Sequence, residues 1–284
     1  MNYVKYRKLK NSIFHGIIFC VTLIGIVILA ILLIDIIRRG IPFLTKTFFT
    51  NFPSRFPNKA GILPGIVGSV NIILLTIAFA VPVGLGTAVY LEEYAKNNRL
   101  TKFIKINISN LSGTPSIVYG LLGLAVFVRV MGLGKSILSG ALTMSLVVLP
   151  IVIVSSQEAI KAVPQYLRHG SYALGATKWQ TIRKIVIPAA LPGIFTGVIL
   201  SVSRALGESA PLLMVGAATY VSKLPDSVFS VFTALPLQIY YWMGLPKEDF
   251  KDLAAAGIIV LLAILLTTNA ITIVLRNKYQ RSVE

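Results

Sequence analysis

The sequence predicts an all-α polytopic membrane protein with about six spanning helices. Three observations carry this. Of the 284 residues, 55% are hydrophobic and only 13% are charged, against about 25% charged in a soluble globular chain. The mean hydropathy is +0.80. The apolar residues gather into six long runs, with the basic residues mostly between them. The polar residues that remain are too few to cover six such runs in water, so the runs face lipid.

Spanning about 30 Å of hydrocarbon takes about 20 helical residues. The first run, 13–37, follows Lys5, Arg7, Lys8 and Lys10. It is too long and too rich in large residues for the core of a cleaved signal peptide, so it is expected to stay as a spanning helix. The second, 64–90, holds Pro82, Gly84 and Gly86, which read as a kink with close helix packing. The third, 111–128, is short and glycine-rich. The fourth, 137–155, follows a tight turn with Gly132 and Gly134, so it should be the antiparallel neighbour of the third. The fifth, 189–215, is interrupted by Arg204 and Glu208, and the sixth is 253–275. The whole chain, 1–284, reads as a single transmembrane domain.

Basic residues orient the chain. Sixteen Lys and Arg fall in the N-terminal tail, 91–110, 156–188 and the tail with Arg276, Lys278 and Arg281, against ten in the alternate connections. Both termini are therefore expected in the cytoplasm. This segmental distribution also argues against nucleic-acid binding, although the net charge is +17. Cys20 is the single cysteine, and His15 and His169 are far apart, so neither a disulfide nor a metal motif is expected within the chain. Two outer connections are long. Residues 38–63 interleave Pro42, Pro53 and Pro57 with five phenylalanines, and 216–252 holds an amphipathic stretch near 228–243. Their aromatics suit the membrane interface or the surface met by an external partner.

Segment 156–188 is longer than a connection between two helices needs. Pro164 and Gly175 break it, and Ile182, Ile185 and Val186 fall at an amphipathic helical spacing. In the fifth run, Arg204 and Glu208 are four residues apart and so share a helix face. A charge in hydrocarbon needs company, so the pair faces the bundle interior or a wet cavity. It is either a structural ion pair or part of a pathway, and an arginine fork suits an oxyanion. Glu208 would then steady the fork or select for a protonated ion. Ser112, Thr114 and Ser116 around Pro115 read either as helix-start caps or as pathway hydroxyls.

Segment 156–188 resembles the cytoplasmic loop shared by permease subunits of ATP-driven importers. Glu158-Ala159-Ile160 is similar to its Glu-Ala-Ala start, with Ile160 in place of alanine. Gly175 stands for its central glycine and Ile185-Val186-Ile187-Pro188 for its close. The runs 204–211 and 111–120 resemble the permeases of phosphate importers, specifically the second of their two subunits, the PstA type. The resemblance covers most of the chain from the second helix on. It implies a type I ABC importer permease fold and a role as half of the pathway for inorganic phosphate. Arg204 and Glu208 would lie in that pathway, with Ser112, Thr114 and Ser116 matching positions that line it. It also implies that 172–177 (Tyr172, Ala173, Leu174, Gly175, Ala176, Thr177) forms a coupling helix docked on an ATPase, with Glu158 and Ala159 supporting the loop. The implied partners are a homologous permease (PstC-like), two copies of a cytoplasmic ATPase (PstB-like) that binds MgATP, and an extracytoplasmic phosphate-binding protein (PstS-like). This chain has no Gly-x-x-x-x-Gly-Lys-Ser/Thr loop and no nucleophile–base pattern, so it is expected not to be an enzyme. Another oxyanion (molybdate or sulfate) or a gradient-driven secondary transporter are the alternatives.

Overall fold

The computed structural model describes residues 2–217 and 220–280. Arg281 of the basic tail lies outside the described residues, as do the side chains of Arg276 and Lys278. The helices are α1 (Asn2–Gly40), α2 (Lys46–Thr50), α3 (Leu63–Val89), α4 (Arg99–Leu111), α5 (Ser116–Gly123), α6 (Ile137–Lys161), α7 (Gln165–Ala173), α8 (Lys178–Thr181), α9 (Ile187–Gly207), α10 (Ala210–Val215), α11 (Leu235–Met243) and α12 (Glu248–Gln280). Wider π-helical turns extend α3 over Tyr90–Tyr94 and α5 over Leu124–Val130, and join α8 to α9 over Ile182–Val186. Among the described residues, five stretches are continuous, long and apolar enough to cross a membrane, and a sixth is a bent pair.

Small residues set the packing. The α3 and α6 helices approach closely where Gly84 meets Val152, and the Thr76 hydroxyl donates to the Ala141 carbonyl at 3.3 Å. The α3 helix runs unbroken through Pro82. On its other side α6 meets α9, with Gly193 over Ala159 and Gly197 over Ser155. The α12 helix covers the far flank of α9, where the Ser203 hydroxyl donates to Asn269 Oδ1 at 2.7 Å. The α1 helix touches the bundle chiefly through α12, with Gly40 against the backbone of Ala255 and Ala256. None of its most apolar window is buried.

The third span differs from expectation. Residues 111–128 are not one straight helix, because Leu111 closes α4 and α5 starts only at Ser116. The two segments meet at 102°. Pro115 cannot continue α4, and the buried Tyr119 hydroxyl pins the corner by donating to the Leu111 carbonyl at 2.8 Å. The turn after α5 is as expected: Gly132 and Gly134 have φ of +68° and +66°, and Gly123 packs on Thr143 of α6.

The connection 216–252 holds the expected amphipathic stretch in a shorter helix, α11. Leu235, Leu237, Gln238, Ile239 and Trp242 are buried, while Tyr240, Tyr241 and Met243 are exposed. Trp242 packs near Phe48 from the other long connection, with ring centroids 6.0 Å apart. A close contact seats this layer: a Cβ on Gly68 would stand 2.0 Å from the Thr233 carbonyl oxygen, and Ser69 Oγ accepts from the Leu235 amide at 2.8 Å. Gly68→Val is therefore expected to destabilise the chain by roughly 1–3 kcal/mol, since a backbone carbonyl cannot swing aside. Gly86→Ala, with nothing within 4 Å of its Cβ, should not lower Tm. Thermal unfolding of the two variants in detergent measures the contrast.

Candidate functional site: a charged helix break and a cytoplasmic-type loop

The α9 helix ends at Gly207. Glu208 takes extended backbone (φ −84°, ψ 121°), and α10 starts at Ala210 with Pro211 in its first turn. The expected run 189–215 is therefore broken, and Arg204 and Glu208 do not share one continuous helix. They still meet: Arg204 Nε donates to Glu208 Oε1 at 3.3 Å. The break gives the carboxylate a separate backbone anchor, while Arg204 sits in the last turn of α9, where a cation suits the helix dipole. Only Nε is engaged. The two Nη nitrogens have no partner among the described residues, so the outer edge of the fork is free to donate. The side chains are 34% and 21% exposed, so they open at the surface of this chain.

The α5 helix packs on the segment just after the break, with Gly120 against Pro211 and Met214. Ser116 lies one turn before Gly120, so the bend and the break are neighbouring features. The three predicted hydroxyls divide there. Ser112 Oγ donates to the Ser109 carbonyl at 2.6 Å and closes α4. The side chains of Thr114 and Ser116 make no hydrogen bond among the described residues, and the α5 N-cap is Pro115, without a side-chain cap. Ser112 is thus engaged locally, whereas Thr114 and Ser116 are half-buried and available.

The other predicted cluster forms a rigid knuckle. The short helix of the loop is α7, Gln165–Ala173, so 172–177 is its C-terminal end and the turn that follows. Gly175 has φ +79°, its amide donates to the Tyr172 carbonyl, and the Ala176 amide donates to the Ser171 carbonyl. This is a left-handed glycine cap that closes the helix. Thr177 and Gln180 then form a capping box that starts α8. Leu174 projects at the tip, 90% exposed. Glu158 is exposed on α6, and Ala159 is half-buried against Gly193. The carboxylate that holds the loop comes from elsewhere in the chain. Glu93 Oε1 receives Arg168 Nη2 at 2.9 Å and Nε at 3.2 Å, with both side chains 8% exposed.

Residues 80–284 match the family described as the binding-protein-dependent transport system inner membrane component. The chain belongs to this family. Among curated relatives, it is 37% identical to the probable ABC transporter permease protein YqgI of Bacillus subtilis, over 75% of this chain and 72% of that one. It is 34% identical to phosphate transport system permease protein PstA 1 of Mycobacterium tuberculosis, covering 85% and 80%. It is 31% identical to PstA of Haemophilus influenzae, covering 94% of each. A bacterial alginate ABC transporter, solved with its alginate pentasaccharide-bound periplasmic protein, has a chain that superposes with a TM-score of 0.68 at 13% identity, covering 93% of each. The MetNI methionine ABC transporter, in an inward-facing form, gives a TM-score of 0.57 at 19% identity, covering 74% and 95%. These structures show the fold, that of a type I importer permease.

A binding-protein-dependent inner-membrane component is a multi-pass membrane permease, and a stand-alone gradient-driven carrier is set aside. Sequence reasoning missed Glu93 and Arg168. Each reads alone as an ordinary charge at a helix end, and only their burial together, 75 residues apart, marks them. A faint signal was present: Arg168 falls within the nine residues of a helix too short to stand alone.

Proposed function

We propose that the chain is one permease subunit of an ATP-driven importer of inorganic phosphate and supplies half of the pathway. The observation that carries this reading is the Arg204 fork, held at a helix break with both Nη nitrogens unengaged. A tetrahedral oxyanion accepts from such a fork bidentately. Glu208 then orients the fork and accepts a hydrogen bond from an ion that still carries a proton, which phosphate does near neutral pH and sulfate does not. The names of the PstA relatives agree with this cargo.

A pair this exposed is costly against lipid, so the reading calls for a second, homologous permease across the cavity. Thr114 and Ser116 would line the pathway beside Arg204. The knuckle at 172–177 would dock on one of two ATPase copies that bind MgATP, with both chain termini on that cytoplasmic side. An extracytoplasmic binding protein would deliver phosphate to the opposite mouth.

The test is uptake of labelled phosphate by proteoliposomes holding the complex purified with this chain, competed with unlabelled phosphate, arsenate, sulfate and molybdate. Competition by unlabelled phosphate and arsenate, and none by sulfate or molybdate, is expected. Stronger competition by sulfate or molybdate than by unlabelled phosphate would reassign the cargo. Purification of the chain without an ATPase would overturn the reading.

A further inference from the structure

The π-helical turn at the end of α3 presents three consecutive side chains to three different elements. Glu92 pairs with Lys105 of α4 at 2.9 Å, Glu93 with Arg168 of α7 at 2.9 Å, and Tyr94 lies 4.8 Å from Lys178 Nζ of α8. A π turn is wider than an α turn and often marks a working position. The Glu93 contact differs from its neighbours in burial. Lys105 and Glu92 are 39% and 20% exposed, against 8% for each member of the Arg168–Glu93 pair.

Arg168 is the only buried residue of α7. All three of its nitrogens are engaged, in four hydrogen bonds. Nη1 donates to the Val163 carbonyl at 2.6 Å, Nη2 donates to the Ile160 carbonyl at 2.9 Å and to Glu93, and Nε donates to Glu93. One side chain thus ties α7 to the end of α6 and to the end of α3. Those two helices pack closely, and α6 in turn lies on α9, which carries Arg204. The exposed tip at Leu174 has no comparable anchor.

We propose that the Glu93–Arg168 ion pair is the strut that carries movement of α7 into α3 and α6. Arg168 and Glu93 are positioning residues for transport, distant from the ion itself. A rigid, planar, four-bond connection transmits a displacement in either direction, whereas a few apolar contacts would let a nine-residue helix slide. The inference rests on the proposed ATP-driven function.

The experiment reconstitutes the complete complex in liposomes with its binding protein. It measures labelled phosphate moved per ATP hydrolysed, for wild type, Glu93→Gln and Arg168→Lys, together with subunit stoichiometry after purification. Glu93→Gln keeps the shape and the bonds from Arg168 to the two carbonyls while removing the charge. Both variants are expected to purify as intact complexes with the ratio lowered at least fivefold. An intact complex with the wild-type ratio in both variants overturns the strut. If Glu93→Gln fails to assemble while Arg168→Lys assembles with the wild-type ratio, the pair serves folding alone and the strut is again overturned. A wild-type complex that hydrolyses ATP but moves no phosphate refutes the functional reading instead, and so separates the two failures.

Discussion

Replacing Arg204 with glutamine is expected to lower phosphate uptake by roughly two to four powers of ten, because two charge-assisted hydrogen bonds are worth about 1.5–3 kcal/mol each. The substitution shortens the side chain by the guanidinium carbon and its two Nη nitrogens, and so removes both the charge and the fork. Folding should survive, since Arg204 makes one 3.3 Å bond to Glu208 and is one-third exposed in this chain. Glu208→Gln is the informative companion. It leaves the Nη donors in place and removes only the carboxylate charge that turns the fork and favours an ion with a hydrogen bond to donate. Its uptake should fall less, and sulfate should compete better than it does in the wild type. Uptake assays with labelled phosphate, run on matched amounts of folded complex, measure both. Equal and normal uptake by the Arg204→Gln, Glu208→Gln double variant would remove this pair from the pathway.

The second large effect is expected at Gly175. Its φ of +79° lies in the left-handed region, where a residue with a Cβ is strained by roughly 1–2 kcal/mol. No atom lies within 4 Å of a Cβ built there, so crowding inside the chain is not the issue. Gly175→Glu combines the strain with a carboxylate beside the exposed Leu174, on the surface assigned to the ATPase. Co-purification of the ATPase is expected to be lost and uptake to fall at least tenfold. The unfolding temperature of the spanning helices should stay near that of the wild type, because the knuckle lies outside their core. Gly175→Ala carries the strain without charge or bulk, so it should keep most of the binding. A Gly175→Glu complex that retained its ATPase and transported normally would show that this knuckle is not the docking surface.

Much of this architecture is legible in the sequence. Hydropathy is nearly additive along the chain, so six runs of spanning length can be counted before any contact is known. The cytoplasmic-type loop announces itself by its length and by Pro164 and Gly175. Arg204 and Glu208 are close in sequence, and their meeting survives even though the helix between them ends at Gly207. The break itself had a signal in Gly207 and Pro211, which the apolar run outweighed. The bend before α5 had one too, in Gly113 and Pro115. In both places counting apolar residues overrode local backbone chemistry.

What the sequence by itself determined is therefore the membrane class, the approximate spans, the positions of the loops, and the one arginine–glutamate pair within a spanning run. Only the tertiary structure decided what the buried face of α11 packs against, that α9 breaks at Glu208, and that Arg168 finds Glu93 across 75 residues of chain. The physical reason is one of range. Partition into lipid and backbone preference act on a few neighbouring residues, so they can be read in order along the chain. Which buried charge meets which, and which helix a short segment is wedged against, depend on the three-dimensional packing of several helices at once.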